Sequence, residues 1–143
     1  LPVFLREREI EMRPVEPQDF LNPQKAPPYK NTWMKPDGVM PKDEKIHQAL
    51  LLYASDMGLI GTATNPHGLN FMSPYLQSAS LDHATWFHSK LDFSDWLLHS
   101  IDSPISGNAR GFSRGSIYNK KGKLVASCVQ EGLIRVWDTP KPK

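Results

Sequence analysis

The segment from residue 42 to residue 58 constrains the fold of this chain more than any other, because it predicts a helix without a polar face. Asp43 and Glu44 suit the first turn, where the helix dipole favours anions, and Gly58 and Gly61 favour its end. An apolar stripe at helical spacing consists of Ile46, Ala49, Leu50, Tyr53 and Met57, and it is widened almost all round by Leu51, Leu52 and Ala54. The segment therefore predicts one long buried central helix.

The sequence on either side of this helix is typical of strands and extended chain. The first 41 residues hold eight of the 13 prolines, so we expect an extended segment with a first strand near residues 8–13 and a second near Trp33. After Gly61 the apolar residues alternate with polar ones. Candidate strands within residues 69–137 are Gln77–Phe87, Asp95–Asp102, Arg110–Tyr118 and Leu124–Trp137, the last two joined by a turn at residues 119–122. The pattern predicts an α+β fold, with an antiparallel sheet wrapped against the helix.

Length, charge and cysteine content limit the class of protein. The chain of 143 residues is long enough for one hydrophobic core, and we expect one domain over residues 1–143. A net charge of +2 without a long basic stripe does not indicate nucleic-acid binding. The longest apolar run, near residues 49–54, is far shorter than the roughly 20 residues that a membrane span needs. A single cysteine favours a reducing compartment. Because the chain starts at Leu1 rather than at methionine, we expect a piece of a longer protein.

Two polar residues stand where the pattern favours other residue types. Asp56 lies in the last turn of the predicted helix, where the dipole disfavours a carboxylate by about 0.3–1 kcal/mol. Gln130 shares the parity of the apolar residues in the last strand, and a buried amide without partners costs roughly 1–3 kcal/mol. Asp56 is either a solvated acid or a functional one. Gln130 is either functional or displaced by a bulge near Gly132.

A third candidate region runs from Ser80 to His88 and concentrates a hydroxyl, a carboxylate and two imidazoles in one strand. Strict alternation places Ser80, Asp82 and His88 on one face and His83 on the other. These groups are therefore not expected to converge on a single site. We expect at least one of them, such as His83, to be a hydrogen-bonded structural histidine. A metal site is not indicated, since His83 and His88 point to opposite faces.

Two features resemble nucleophile sites, but the sequence favours a structural role for each. Residues 111–115 match the G-x-S-x-G elbow of α/β-hydrolases, but that elbow needs a helix after the serine and a histidine downstream. Here the sequence continues as a strand, and all five histidines lie upstream. Cys128 has no nearby cation to lower its thiol pKa, so we expect a small core residue.

Several of these motifs together resemble the C-terminal half of the type II acyl-CoA thioesterases, a family with bacterial and peroxisomal members. The motifs are Tyr53-Ala54-Ser55-Asp56, Pro66-His67-Gly68, residues 80–88, Ala109-Arg110-Gly111-Phe112 and residues 124–132. The resemblance covers nearly the whole chain and departs from the family pattern at Ala84-Thr85. It implies a hotdog fold, an antiparallel sheet around one long helix, as one half of a double hotdog.

The resemblance also implies the chemistry and the residues that perform it. The family's catalytic Asp, Ser or Thr, and Gln fall on Asp56, Ser80 and Gln130, and a water activated by them would hydrolyse a fatty acyl-CoA without a cofactor. Arg110 and Arg114 are candidates for binding the phosphates of coenzyme A. The partners implied are an N-terminal hotdog half of the same enzyme and further copies in an oligomer.

Other functions stay open at this point. The same fold is compatible with an enoyl-thioester hydratase or dehydratase, or with a module that binds acyl-CoA without catalysis. We expect a cytoplasmic protein, with the peroxisomal matrix as the alternative if the C-terminus is truncated.

Overall fold

Two strands precede a pair of helices, and five strands follow it, in the part of the chain that the structure describes. This computed structural model describes residues 9–140. In chain order its elements are β1 (Ile10–Pro14), β2 (Tyr29–Pro36), α1 (Glu44–Ser55), α2 (Leu59–Thr64), a 3-10 turn (Asn65–His67), β3 (Leu76–Ser80), β4 (Ala84–Phe87), β5 (Leu97–Gly107), β6 (Arg110–Asn119) and β7 (Leu124–Val136).

All seven strands of the described range join one antiparallel sheet. Its order is β1-β2-β5-β6-β7, and both β3 and β4 pair with the remaining edge of β7. The long strands β5, β6 and β7 form successive hairpins, the second closed by the expected turn at residues 119–122, and α2 packs against all three. The predicted α+β architecture with an antiparallel sheet is therefore confirmed.

The central helix differs from the prediction in length and in burial. The chain leaves α1 after Ser55, passes Gly58 with a φ of 94°, and re-enters a helix at Leu59, so the helix is shorter than the predicted residues 42–58. Gly61 lies inside α2 instead of ending a helix. No helix within residues 9–140 is long and apolar enough to cross a membrane.

The face of α1 that packs into the core is not the predicted apolar stripe. Its buried residues are His47, Leu51, Ala54 and Ser55. Ile46 and Tyr53 of the predicted stripe are 46% and 55% exposed. His47 is accommodated because Phe93 N donates to its Nδ1 (2.9 Å), which leaves its Nε2–H for the Pro41 carbonyl (2.7 Å).

The contact between α2 and the sheet depends on glycines. Gly111 and Gly132 face each other across β6 and β7. A Cβ on Gly111 would lie 2.7 Å from the Cβ of Ala63, and a Cβ on Gly132 would lie 2.7 Å from a side-chain carbon of Ile60. Both distances are too short for a packed interior, so the missing side chains allow α2 to lie directly on the sheet.

The G-x-S-x-G segment belongs to the same contact. Ser113, 2% exposed, donates through Oγ to the Leu59 carbonyl at 2.8 Å, and a Cβ on Gly115 would overlap His99 and Cys128. These residues support helix packing and confirm that the segment is not a strand-to-helix elbow. We call the following set the packed layer: Ile60, Ala63, His99, Gly111, Gly115, Cys128 and Gly132.

The predicted strand Gln77–Phe87 divides into β3 and β4 at a bulge. Ser80 pairs with Gly132 and Ala84 with Val129, so the chain advances four residues while β7 advances three. The extra residue reverses the alternation, and it brings residues of β4 with odd numbers to the face that carries Ser80. Asp82 stabilises the bulge, since its Oδ1 accepts from the Glu131 N–H at 2.7 Å.

Candidate active site

Asp56 and Gln130, 74 residues apart in the chain, meet between the end of α1 and the middle of β7. Gln130 Nε2 donates a short hydrogen bond to Asp56 Oδ1. The Gln130 residue is 1% exposed, whereas the Asp56 side chain is 54% exposed. The amide thus supplies the compensation that a carboxylate at a helix C-terminus requires. It also leaves part of the carboxylate open to solvent.

His83 completes the contacts around this pair. Its Nε2 lies 2.9 Å from Ser55 Oγ and 3.1 Å from Thr85 Oγ1. Its Nδ1 lies 3.4 Å from Gln130 Nε2 and 3.9 Å from Asp56 Oδ1. We call these five residues the polar network.

Strict alternation places His83 on the opposite face from Ser80, and this is wrong because the bulge between β3 and β4 brings the two residues to the same face. His83 and His88 remain on opposite faces, as predicted. Ser55 and Thr85 received no functional interpretation from the sequence. Ser55 stands beside Asp56 in the sequence, but its burial on α1 is visible only in the fold.

One atom of the network has no partner. The Gln130 Oε1 is buried and accepts no hydrogen bond from any residue between 9 and 140. Buried side-chain acceptors are satisfied in most proteins, and an unsatisfied one costs roughly 1–3 kcal/mol. This carbonyl oxygen is therefore an acceptor that the described residues leave unused.

Ser80 ends β3 on the helix side of the sheet. Its partner across the sheet is Gly132, which stands two residues from Gln130 on β7, so Ser80 and Gln130 share a face as diagonal neighbours. Ser80 is exposed, and among the described residues no hydrogen bond joins it to Asp56 or Gln130. The structure therefore brings two of the three predicted residues into direct contact and places the third on the same side.

Arg110 and Arg114 lie on the opposite face of β6 from Gly111 and Ser113. Arg114 forms a short ion pair with Asp102, and the Arg110 Nε lies 3.3 Å from Glu131 Oε1. Both guanidinium groups are about half exposed, with side-chain exposures of 57% and 48%. They are separated from the polar network by the thickness of the sheet.

Cys128 and His99 lie behind Ser55 in the packed layer. The Cys128 Sγ is 3.5 Å from His99 Nε2 and 3.9 Å from the Ser55 carbonyl oxygen. Burial raises the pKa of the thiol to about 11 and lowers the pKa of His99 to about 4. Both groups are neutral at pH 7, so Cys128 is the core residue that the sequence predicts. No group of His, Cys, Asp and Glu side chains suited to a metal occurs between residues 9 and 140.

The sequence and the structure of this chain are both similar to those of acyl-CoA thioesterases. A family model for acyl-CoA thioesterases matches residues 2–133. Acyl-CoA thioesterase 2 of Haemophilus influenzae is 39% identical over 132 residues, which are 92% of this chain and 46% of that protein. The crystal structure of an acyl-CoA thioesterase II from Mycobacterium marinum is 37% identical with a TM-score of 0.77, and the match covers 91% of this chain and 50% of that one.

A more distant solved structure supports the fold alone. A protein from Alicyclobacillus acidocaldarius described as having a hot dog fold superposes with a TM-score of 0.66 at 16% identity, covering 90% of this chain and 46% of that one. In each of these three comparisons the chain spans about half the length of the matched protein.

Proposed function

The chain belongs to the acyl-CoA thioesterase family and has its hotdog fold, and on this premise we propose that it carries a site that hydrolyses fatty acyl-CoA to free fatty acid and coenzyme A. The observation that supports this most is the contact between Asp56 and Gln130. It joins a half-exposed carboxylate to an amide whose carbonyl oxygen is unpartnered. Such a pair offers one group that takes a proton and one that holds a water molecule.

The proposed reaction needs only a positioned water. The water oxygen attacks the carbonyl carbon of the thioester while Asp56 accepts a proton from it as general base. The carbon–sulfur bond then breaks, and the sulfur leaves with that proton as the free thiol of coenzyme A. Gln130 Oε1 accepts a hydrogen bond from the second O–H of the water, and Ser80 binds the water from the diagonal position on β3. No covalent acyl-enzyme forms.

Replacing Asp56 tests this assignment directly. Asp56→Asn keeps an oxygen that accepts from Gln130 but cannot take a proton, so we expect kcat to fall by about 100-fold or more. The measurement is release of free thiol from a saturated fatty acyl-CoA, followed with DTNB in the purified full-length protein. Asp37→Asn is the matched control, because Asp37 is an exposed acid in a turn where asparagine is equally suitable.

Three outcomes would contradict the proposal. Activity of Asp56→Asn within a few-fold of the wild type would remove Asp56 from the reaction. Addition of water to an enoyl-CoA without thiol release would indicate a hydratase. Binding of acyl-CoA without turnover of any thioester would indicate a binding module.

Arg110 and Arg114 are the proposed contacts for the phosphates of coenzyme A. Both are exposed, and an exposed ion pair contributes only about 0–1 kcal/mol, so exchange of a carboxylate partner for a phosphate is inexpensive. Replacement of either by Gln should raise KM for acyl-CoA but not for acyl-pantetheine, which lacks the nucleotide. Lys121→Gln is the control, and equal KM shifts for both substrates would withdraw this role.

The exposed apolar residues of α1 support a partner, which we propose to be the N-terminal hotdog half of the same protein, within a homo-oligomer. Ile46, Leu52 and Tyr53 are between 45% and 55% exposed. If a second unit covers this face, Ile46→Asp should destabilise the full-length protein by about 2 kcal/mol. Val39→Asp, at a residue 100% exposed, should not. Equal melting temperatures for the two variants would contradict the proposed contact.

We propose the cytoplasm as the compartment, since the one cysteine is buried as a free thiol. Cell fractionation distinguishes it from the peroxisomal matrix.

A further inference from the structure

The Leu52 carbonyl determines the direction of the hydrogen bonds around His83. Ser55 Oγ donates its one proton to that carbonyl at 2.9 Å. Towards His83 the hydroxyl oxygen is therefore only an acceptor, and the contact of 2.9 Å with Nε2 requires a proton on Nε2. The Thr85 Oγ1 lies 3.1 Å from Nε2 and 3.4 Å from Ser55 Oγ, and with Nε2 protonated its hydroxyl donates to Ser55 Oγ.

The protonation of Nε2 also determines the hydrogen bond between the His83 ring and Gln130. A neutral imidazole with its proton on Nε2 has a lone pair on Nδ1, which faces Gln130 Nε2 at 3.4 Å. The amide nitrogen then donates one hydrogen to Asp56 and the other to His83. The opposite orientation of the amide would place its oxygen against the carboxylate and against the Nδ1 lone pair, which are two acceptors. The network therefore permits one orientation, with Oε1 free.

We propose that His83 is a positioning residue, which holds the Gln130 amide so that its carbonyl oxygen binds the attacking water. This inference rests on the proposed hydrolase function and adds a residue to it. His83 itself neither takes a proton nor touches the substrate. Its lone pair at Nδ1 selects the amide orientation, and Ser55 fixes that lone pair by accepting from Nε2.

Two substitutions of His83 distinguish the role of Nδ1 from the role of Nε2. The side-chain oxygen of His83→Asn reaches the position of Nδ1 and still accepts from Gln130. The amide of His83→Gln reaches the position of Nε2 and still donates to Ser55, but leaves Gln130 without its acceptor. We expect His83→Asn to keep kcat within about fivefold and His83→Gln to lose about tenfold or more, with KM for acyl-CoA unchanged in both.

A spectroscopic measurement tests the inference without reference to hydrolysis. In the purified full-length protein at neutral pH, the ¹⁵N shifts of His83 should show a protonated Nε2 and an unprotonated Nδ1. A proton on Nδ1 in the wild type would overturn the inference, as would equal kcat for the two folded variants. Activity in Asp56→Asn would instead contradict the proposed function, and the state of the ring nitrogens would still report on the orientation of Gln130.

Discussion

The packed layer and the polar network lie on the same side of one sheet, but they are built in opposite ways. The packed layer brings α2 onto the sheet by omitting side chains at Gly111 and Gly132. The polar network keeps its side chains and orders them through hydrogen bonds, leaving one buried oxygen unpartnered. The packed layer determines the distance between α2 and the sheet, and the polar network determines the direction of its hydrogen bonds.

The packed layer and the polar network depend on each other through the position of α2. Asp56 stands only three residues before Leu59, the first residue of α2, and Gln130 stands two residues before Gly132. Because α2 contacts Gly132 directly through Ile60, the height of α2 above β7 also determines where Asp56 meets Gln130. We therefore expect changes in the packed layer to alter stability strongly, and changes in the network to alter activity with little effect on stability.

The largest effect on stability should come from the buried imidazole of the packed layer. Burial lowers the pKa of His99 from 6.5 to about 4, so between these values the unfolded chain binds a proton that the folded chain does not. The free energy of unfolding therefore falls as pH decreases through this range, by up to about 3 kcal/mol at the acid end. His99→Leu should remove this dependence, as measured by urea unfolding at pH 7, 5.5 and 4.

The comparison with the variant cancels the contribution of every other ionisable group to this pH dependence. His67→Gln, at an exposed histidine, is the matched control and should keep the slope of the wild type. If wild type and His99→Leu lose stability in parallel from pH 7 to pH 4, His99 is not the neutral buried group inferred here.

A smaller loss is expected when a methyl group is added under α2. In Gly111→Ala the new Cβ would lie 2.7 Å from Ala63, so α2 must shift or the strand must bend, at a cost of about 2 kcal/mol in the free energy of unfolding. Gly107→Ala is the control, because a Cβ there meets no atom within 4 Å. Equal urea midpoints for the two alanine variants would show that the glycine contact does not determine the packing.

The sequence predicted the residues of the site better than it predicted their surroundings. Asp56 and Gln130 were recognisable because each breaks a local preference, one at a helix end and one on an apolar strand face. Their mutual hydrogen bond accounts for both exceptions. A residue that breaks no local preference, such as the small hydroxyl residue Ser55 at the end of α1, gives no comparable signal.

The errors in the prediction also have physical causes. A helix that is apolar on nearly every side does not indicate which side faces the sheet. The side that packs contains His47, whose ring is satisfied by the backbone groups of Pro41 and Phe93. The bulge after Ser80 has no glycine or proline to mark it. Its signal is Asp82, whose carboxylate replaces a backbone acceptor for Glu131, and that role is visible only once the strands are paired.

The smallest effect on stability is expected at Asp56, and it distinguishes the polar network from the packed layer most sharply. Asp56 carries its charge at the C-terminal end of α1, where the dipole disfavours it by about 0.3–1 kcal/mol. Asp56→Asn removes the charge and retains an acceptor for Gln130, so the free energy of unfolding should stay unchanged or rise by up to that amount. Urea unfolding of the same preparation used for the thiol-release assay measures this. A loss above about 2 kcal/mol would mean that the carboxylate is a structural group, and that any loss of hydrolysis in this variant follows from unfolding rather than from chemistry.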